Sequence, residues 1–214
     1  MNEFANFIPT PCATGQESHA TTQAADRIPR LKWTLEEFER LSQLGFFGGP
    51  DRPRERVELI DGNLVLRHAK EAQHERVRAK MTMHLARALP LEFHVYSDLD
   101  WRPGGAHYLE PEIIICKAGS EPSTVPPSDV LLLIEVADSS PAYDTGLKPP
   151  LYATLGVLEY WVIDANRLTT RIHLNPTQTG FTAITNHASS KALTPHQLPP
   201  SPSALPIWDW IDAD

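Results

Sequence analysis

Cysteine is scarce in this sequence. There are two, Cys12 and Cys116, far apart and forming no CxxC pair. That excludes a disulfide scaffold and a structural zinc site and suits a reducing compartment, so a cytoplasmic location is expected. A long apolar run is missing as well. Residues 1–30, "MNEFANFIPTPCATGQESHATTQAADRIPR", are polar, aperiodic and rich in Thr and Ala. They are expected to be disordered, with no signal peptide and no membrane association. Residues 31–214 are expected to form one domain.

Several catalytic signatures are absent too. Without GxGxxG or GxxxxGK[ST], neither a dinucleotide fold nor a P-loop is supported. Without GxSxG there is no nucleophile elbow. "HERVR" at His74 begins like the zincin motif HExxH, but Arg78 stands where the second His belongs. The nine His show no metal-ligand spacing.

The charge balance is −8, from 19 basic and 27 acidic residues, the wrong sign for a simple nucleic-acid coat. Yet twelve of the basic residues fall between Arg27 and Lys80. A polyanionic partner would face that third of the chain, although from charge alone ordinary solvated surface is the favoured reading.

Along the chain, "WTLEEFERLSQLG" opens with a capping box, Thr34 with Glu37, and carries a helical stripe of Leu35, Phe38 and Leu41. "ERVELIDGNLVLRH" reads as a hairpin turning at Asp61-Gly62. Lys70 to Leu89 reads as a helix with Val77, Met81 and Leu85 on one face, ended by Pro90. Three strands follow, "EFHVYSDLDW", "YLEPEIIIC" and "DVLLLIEV", the last two apolar enough to be central. A helix around "PPLYATLG", the strand "EYWVIDA" and two further strands separated by "PTQT" complete the pattern. The expected fold class is α/β or α+β, a mixed central sheet flanked by helices.

Within this layout three residues call for an explanation. Glu112 starts one apolar strand and Glu135 ends the next, while Lys148 follows a short polar loop at the mouth of a helix. If the strands pair, both carboxylates reach one end of the sheet. There they can bind Mg²⁺, with the ammonium orienting water or steadying charge on a phosphate. Residue chemistry alone leaves a structural Glu135–Lys148 ion pair open. Asp138 reads as a loop cap, His74 as a helix-surface or core-edge residue, Tyr152 and Trp161 as core, and Asp164 as a turn residue.

The stretches "VELIDGNLV", "YLEPEIII" and "LLLIEVADSSPAYDTGLKPPLYATLGVLEYWVID", with "WTLEEFERL" before them, resemble the Uma family of putative restriction endonucleases. That family belongs to the PD-(D/E)XK nuclease superfamily, and the resemblance runs from about Trp33 to about Asp209. It implies a restriction-endonuclease-like fold and a DNA endonuclease dependent on Mg²⁺, with Mn²⁺ able to substitute. By this resemblance Glu112 and Glu135 hold the metal, Lys148 is the catalytic lysine, Glu58 adds a carboxylate, and Asp144 fixes the loop or the lysine. The sequence departs from the family at two points. Glu112 replaces the PD aspartate, and Pro149-Pro150 follow Lys148, which should set that lysine just before its helix. The alternative expectation is a catalytically weakened module of the same fold that binds nucleic acid or a protein without cleavage. A homodimer is plausible for cutting both strands.

Overall fold

The computed structural model describes residues 31–48, 55–67, 69–137, 146–188 and 193–198. From Lys32 onward these belong to one compact unit. The expectations for residues 1–30, Asp138 and Asp144 lie outside the described residues.

Helix α1, Leu35–Gln43, begins where the sequence places it. The Thr34 hydroxyl accepts from the Glu37 N–H, and the Glu37 carboxylate accepts from the Thr34 N–H in return. Its one buried residue, Phe38, packs with Val57, Leu59 and Tyr108. The hairpin of β1 (Arg56–Ile60) and β2 (Asn63–Arg67) turns on Asp61 and Gly62, both at positive φ, 46° and 71°. Such a primed turn matches the twist of the strands and fixes their register, with Glu58 opposite Val65 and Arg56 opposite Arg67. Backbone hydrogen bonds in both directions between Leu59 and Tyr108 dock the hairpin onto the segment preceding β4.

The main sheet has six strands in sequence order: β3 (Phe93–Ser97), β4 (Ile113–Lys117), β5 (Val130–Ala137), β6 (Glu159–Asp164), β7 (Thr170–Thr177) and β8 (Gly180–His187). All neighbours are antiparallel except β5 and β6, which are parallel and joined through helix α3, Lys148–Leu155. The sheet is therefore mixed and helix-flanked, as expected. The alternation of strand residues divides the core into two layers. Ile113, Ile115, Leu132, Ile134 and Trp161 pack with Val77, Met81 and Leu85 of helix α2, Ala72–Ala88. Ile114, Cys116, Leu133, Tyr160 and Val162 pack with Tyr152 of α3. Among the described residues no helix is long and apolar enough to cross a membrane.

Two details differ from the sequence expectations. The turn between the last two strands falls at Gln178-Thr179, because Pro176 is still paired, with Phe181. It lies beyond the β6 register, so its missing N–H forfeits no bond on that side. The helix containing Pro149 starts at Lys148 itself, after a Leu147 already helical at φ −79°, ψ −43°. Proline disfavours helical backbone in the residue before it, here Lys148, which is helical nonetheless.

A buried carboxylate, Glu159, anchors the chain past the sheet. Glu159 accepts from the Trp161 indole (2.6 Å) and from the backbone N–H groups of His196 (2.7 Å) and Gln197 (3.2 Å). Leu193 and Leu198 on that segment join the core.

Candidate active site

In β5, Glu135 stands two residues before the strand's end, on the face shared with Leu133 and Ala137 that packs against α3. The antiparallel register of β4 and β5 pairs Ile113 with Ile134, and continuing it by one step sets Glu112 opposite Glu135. Glu112 itself lies just outside β4. The docked hairpin supplies Glu58, and the first turn of α3 supplies Lys148. Glu58, Glu112, Glu135 and Lys148 all have 0% exposure. All four predicted site residues thus meet in one buried cluster, drawn from four separate elements or their edges.

Within it, Lys148 Nζ donates to Glu135 Oε1 at 2.6 Å and lies 3.6 Å from Glu58 Oε1. The Tyr152 hydroxyl, one helical turn on from Lys148, donates to the same Oε1 at 2.8 Å. Its burial, with the negative charges of Glu135 and Glu58 beside it, pushes the phenol's pKa well above the ordinary value, so it stays a donor. Glu135 Oε2 is buried and has no hydrogen-bond partner among the described residues. Glu58 Oε1 also accepts from the Glu110 N–H at 2.8 Å, which ties the hairpin to the approach to Glu112.

Glu112 is surrounded by positive groups. Its Oε1 meets Arg67 Nη2 at 3.0 Å and His74 Nε2 at 3.4 Å. Its Oε2 meets Lys70 Nζ at 2.8 Å and Arg78 Nε at 3.7 Å. Burial alone would raise the carboxyl's pKa. The His74 contact and the charges of Arg67 and Lys70 overcome it and hold the group well below the usual carboxylate range.

Arg67 is the hub of the cluster. Besides Glu112, its guanidinium reaches Glu135 Oε2 (3.8 Å), Glu58 Oε2 (3.9 Å) and Glu110 Oε2 (3.8 Å), and it donates to the Glu110 carbonyl at 2.5 Å. Lys70 also bonds Asp98. A charged cavity of about 500 Å³, lined by Arg56, Ala69, Lys70, Asp98, Asp100 and Glu110, adjoins the cluster through Lys70 and Glu110.

Sequence reasoning missed Arg67, Lys70, Arg78 and Tyr152 as members of this site, and left His74 at the helix surface or the core edge. His74 is at the core edge, 3% exposed, and faces Glu112. It sits three residues before Val77 on the stripe that α2 buries, which is the signal that would have found it. Tyr152 is core, as expected, but its hydroxyl serves Glu135. Trp161 is core, and Asp164 caps a turn by accepting from the N–H groups of Asn166 and Arg167.

The arrangement does not fit a divalent ion as it stands. Both oxygens of Glu112 are engaged by cations, and an arginine nitrogen occupies the space facing both Glu112 and Glu135. Among the described residues no group of three or more His, Cys, Asp or Glu is placed to hold a metal. Magnesium asks for about six oxygens at roughly 2.1 Å, with no positive group among them.

Comparison with known proteins agrees with this architecture. The Uma2 family model, described as putative restriction endonuclease, matches residues 35–209. The chain is similar to a crystal structure described as a putative nuclease belonging to DUF820 from Anabaena variabilis, with a TM-score of 0.58 at 16% identity. That similarity covers 83% of this chain and 98% of the other, and at this identity it shows the fold. No curated protein matches the sequence.

Proposed function

We propose a function from one premise: this chain belongs to the Uma2 family of putative restriction endonucleases, whose model spans most of it. It is an endonuclease that hydrolyses DNA phosphodiester bonds at the cluster of Glu58, Glu112, Glu135 and Lys148. The observation that carries the reading is the burial of Lys148 against Glu135, at the meeting point of two central strands and beside a charged cavity. Core packing has no use for such a pair, since desolvating it costs more than an apolar substitute would. A pre-aimed, desolvated ammonium, by contrast, stabilises the charge that develops on a phosphate when water attacks and the ester P–O bond breaks. Glu135 holds that ammonium in place, Tyr152 holds Glu135, and Glu58 keeps the hairpin against the site.

The Mg²⁺ implied by the family, or Mn²⁺ in its place, would reach Glu112 and Glu135 only if the cations around Glu112 rearrange. Incubating the protein with plasmid DNA and Mg²⁺ or Mn²⁺ tests the proposal. Nicks or breaks that vanish in Glu135→Ala support it, and undiminished cleavage by that variant sinks it.

The cation-saturated Glu112 favours a second reading, a nuclease-fold module that binds nucleic acid or a protein without cutting. It predicts no cleavage by the wild type. Retention of DNA falling steeply with salt would mark a nucleic-acid binder, and a protein-binding module would show no such retention.

A further inference from the structure

We infer that Arg171 anchors a DNA phosphate in a small recess beside the cluster, on the opposite side of Glu135 from the charged cavity. The inference rests on the reading of the cluster as a DNA-cleaving centre. It adds a residue that grips the substrate without taking part in the chemistry.

The topology sets the positions. At one end of the main sheet β3, β5, β6 and β8 finish and β4 and β7 begin. The cluster lies at this end, where β4 and β5 meet. To one side, past the end of β3, is the charged cavity with Lys70 and Asp98 in its wall. To the other is a smaller cavity of about 160 Å³, whose wall includes Ala137, Val162, Asp164, Arg171 and Asn186. In the register of the sheet Val162 neighbours Glu135 on one side and Arg171 on the other, and Arg171 pairs with Asn186. The four residues form one row on the face that packs against α3. Glu135 and Arg171 stand two strands apart, roughly 10 Å.

The chemistry of the wall sets the ligand. Arg171 is partly buried, and among the described residues its Nε has no hydrogen-bond partner and no carboxylate pairs with it. An arginine left unpaired is unexpected in a chain of 27 acidic and 19 basic residues. Asp164 shares the cavity, but its oxygens accept from the N–H groups of Asn166 and Arg167 and from the Arg167 guanidinium at 3.2 Å. A desolvated guanidinium without a partner is costly, and a phosphate supplies acceptors matched to its fork of donors. The Asn186 amide can donate to the same oxygens. The cavity is smaller than the roughly 300 Å³ at which small-molecule sites begin, which suits one phosphate and not a whole nucleotide. A polyanion laid across this end of the sheet passes the charged cavity, the cluster and Arg171 in turn.

The test is fluorescence anisotropy of a fluorescein-labelled DNA duplex, titrated at several salt concentrations and without added metal with wild type, Arg171→Met and Arg167→Met. Arg167 is an exposed neighbour outside the cavity wall, so its variant removes the same charge without the contact. The plot of log Kd against log salt is expected to become shallower by about 0.9 in Arg171→Met, the loss of one phosphate contact, and to keep the wild-type slope in Arg167→Met. A folded Arg171→Met with the wild-type slope overturns the inference. So does an equal change in both variants, or a wild type that holds no DNA at low salt. If circular dichroism shows that Arg171→Met does not fold, Asn186→Asp takes its place. That exposed, isosteric change sets a carboxylate opposite Arg171 to occupy its guanidinium, and it should flatten the slope as well; an unchanged slope overturns the inference. Plasmid cleavage separates this outcome from the nuclease reading. Wild type that cuts, beside an Arg171→Met of unchanged slope, rejects the anchor and leaves the nuclease reading standing. A flattened slope without cleavage by any protein rejects the nuclease reading and leaves the anchor.

Discussion

Lys148 Nζ sits 2.6 Å from Glu135 Oε1, and neither side chain is exposed to solvent. Two opposite charges are thus buried together on neighbouring elements thirteen residues apart in the chain. The Tyr152 hydroxyl shares the same carboxylate oxygen.

Such a pair is costly to break and cheap to replace. Glu135→Leu leaves a buried ammonium with Glu58 still 3.6 Å away. Lys148→Met leaves a buried carboxylate held by Tyr152 and Arg67. Each single variant is expected to lose about 3–5 kcal/mol in urea unfolding, and the double variant to recover most of that loss. Losses that simply add would show that the two charges are not coupled.

The strands and the hairpin were legible because their apolar runs and the Asp61-Gly62 turn are local signals. So are Glu112, Glu135 and Lys148, once the two apolar strands are paired, whereas Glu58 is reached only through the family resemblance. Arg67 was within reach of the same logic. The turn fixes the register, Glu58 falls opposite Val65, and Arg67 lies two residues along the same face. It was passed over because a charged residue near a strand end reads as solvated. Lys70 and Arg78 were not legible at all. They are drawn inward by Glu112 and Asp98, which lie far from them in sequence, and charge compensation of that kind has no local period.

The turn itself can be tested. Gly62 has φ +71°, and a Cβ there would meet the Trp33 carbonyl at 3.0 Å. Gly62→Ala should therefore cost about 1–2 kcal/mol from backbone conformation, with the steric contact adding to it. It should also loosen the hairpin that carries both Glu58 and Arg67. A melting temperature equal to wild type would contradict this account of the turn.

Away from the site, His173 is buried between Tyr160 and Phe181 in the sheet. Burial, reinforced by the charge of Arg171 and partly offset by the Tyr160 carbonyl, lowers its pKa to about 4. An unfolded histidine titrates near 6.5, so between these values the unfolded chain binds a proton that the folded one refuses. This residue's contribution to stability is therefore full above about pH 6.5 and erodes as pH falls toward 4, by at most about 1.4 kcal/mol per pH unit. His173→Phe keeps the ring packing and should flatten the decline of melting temperature over that interval. An unchanged slope would show that His173 does not titrate as described.

The grip of Glu159 on the backbone of His196 and Gln197 gives the end of the described chain an influence out of proportion to its size. A protease cut or an early stop between His187 and Leu193 would remove two leucines from the core. It would also strip a buried carboxylate of its main-chain donors, leaving the Trp161 indole. The penalty would fall on β6, whose parallel neighbour β5 carries Glu135. Residues 193–198, through Glu159, thus brace the strand next to the one that carries Glu135.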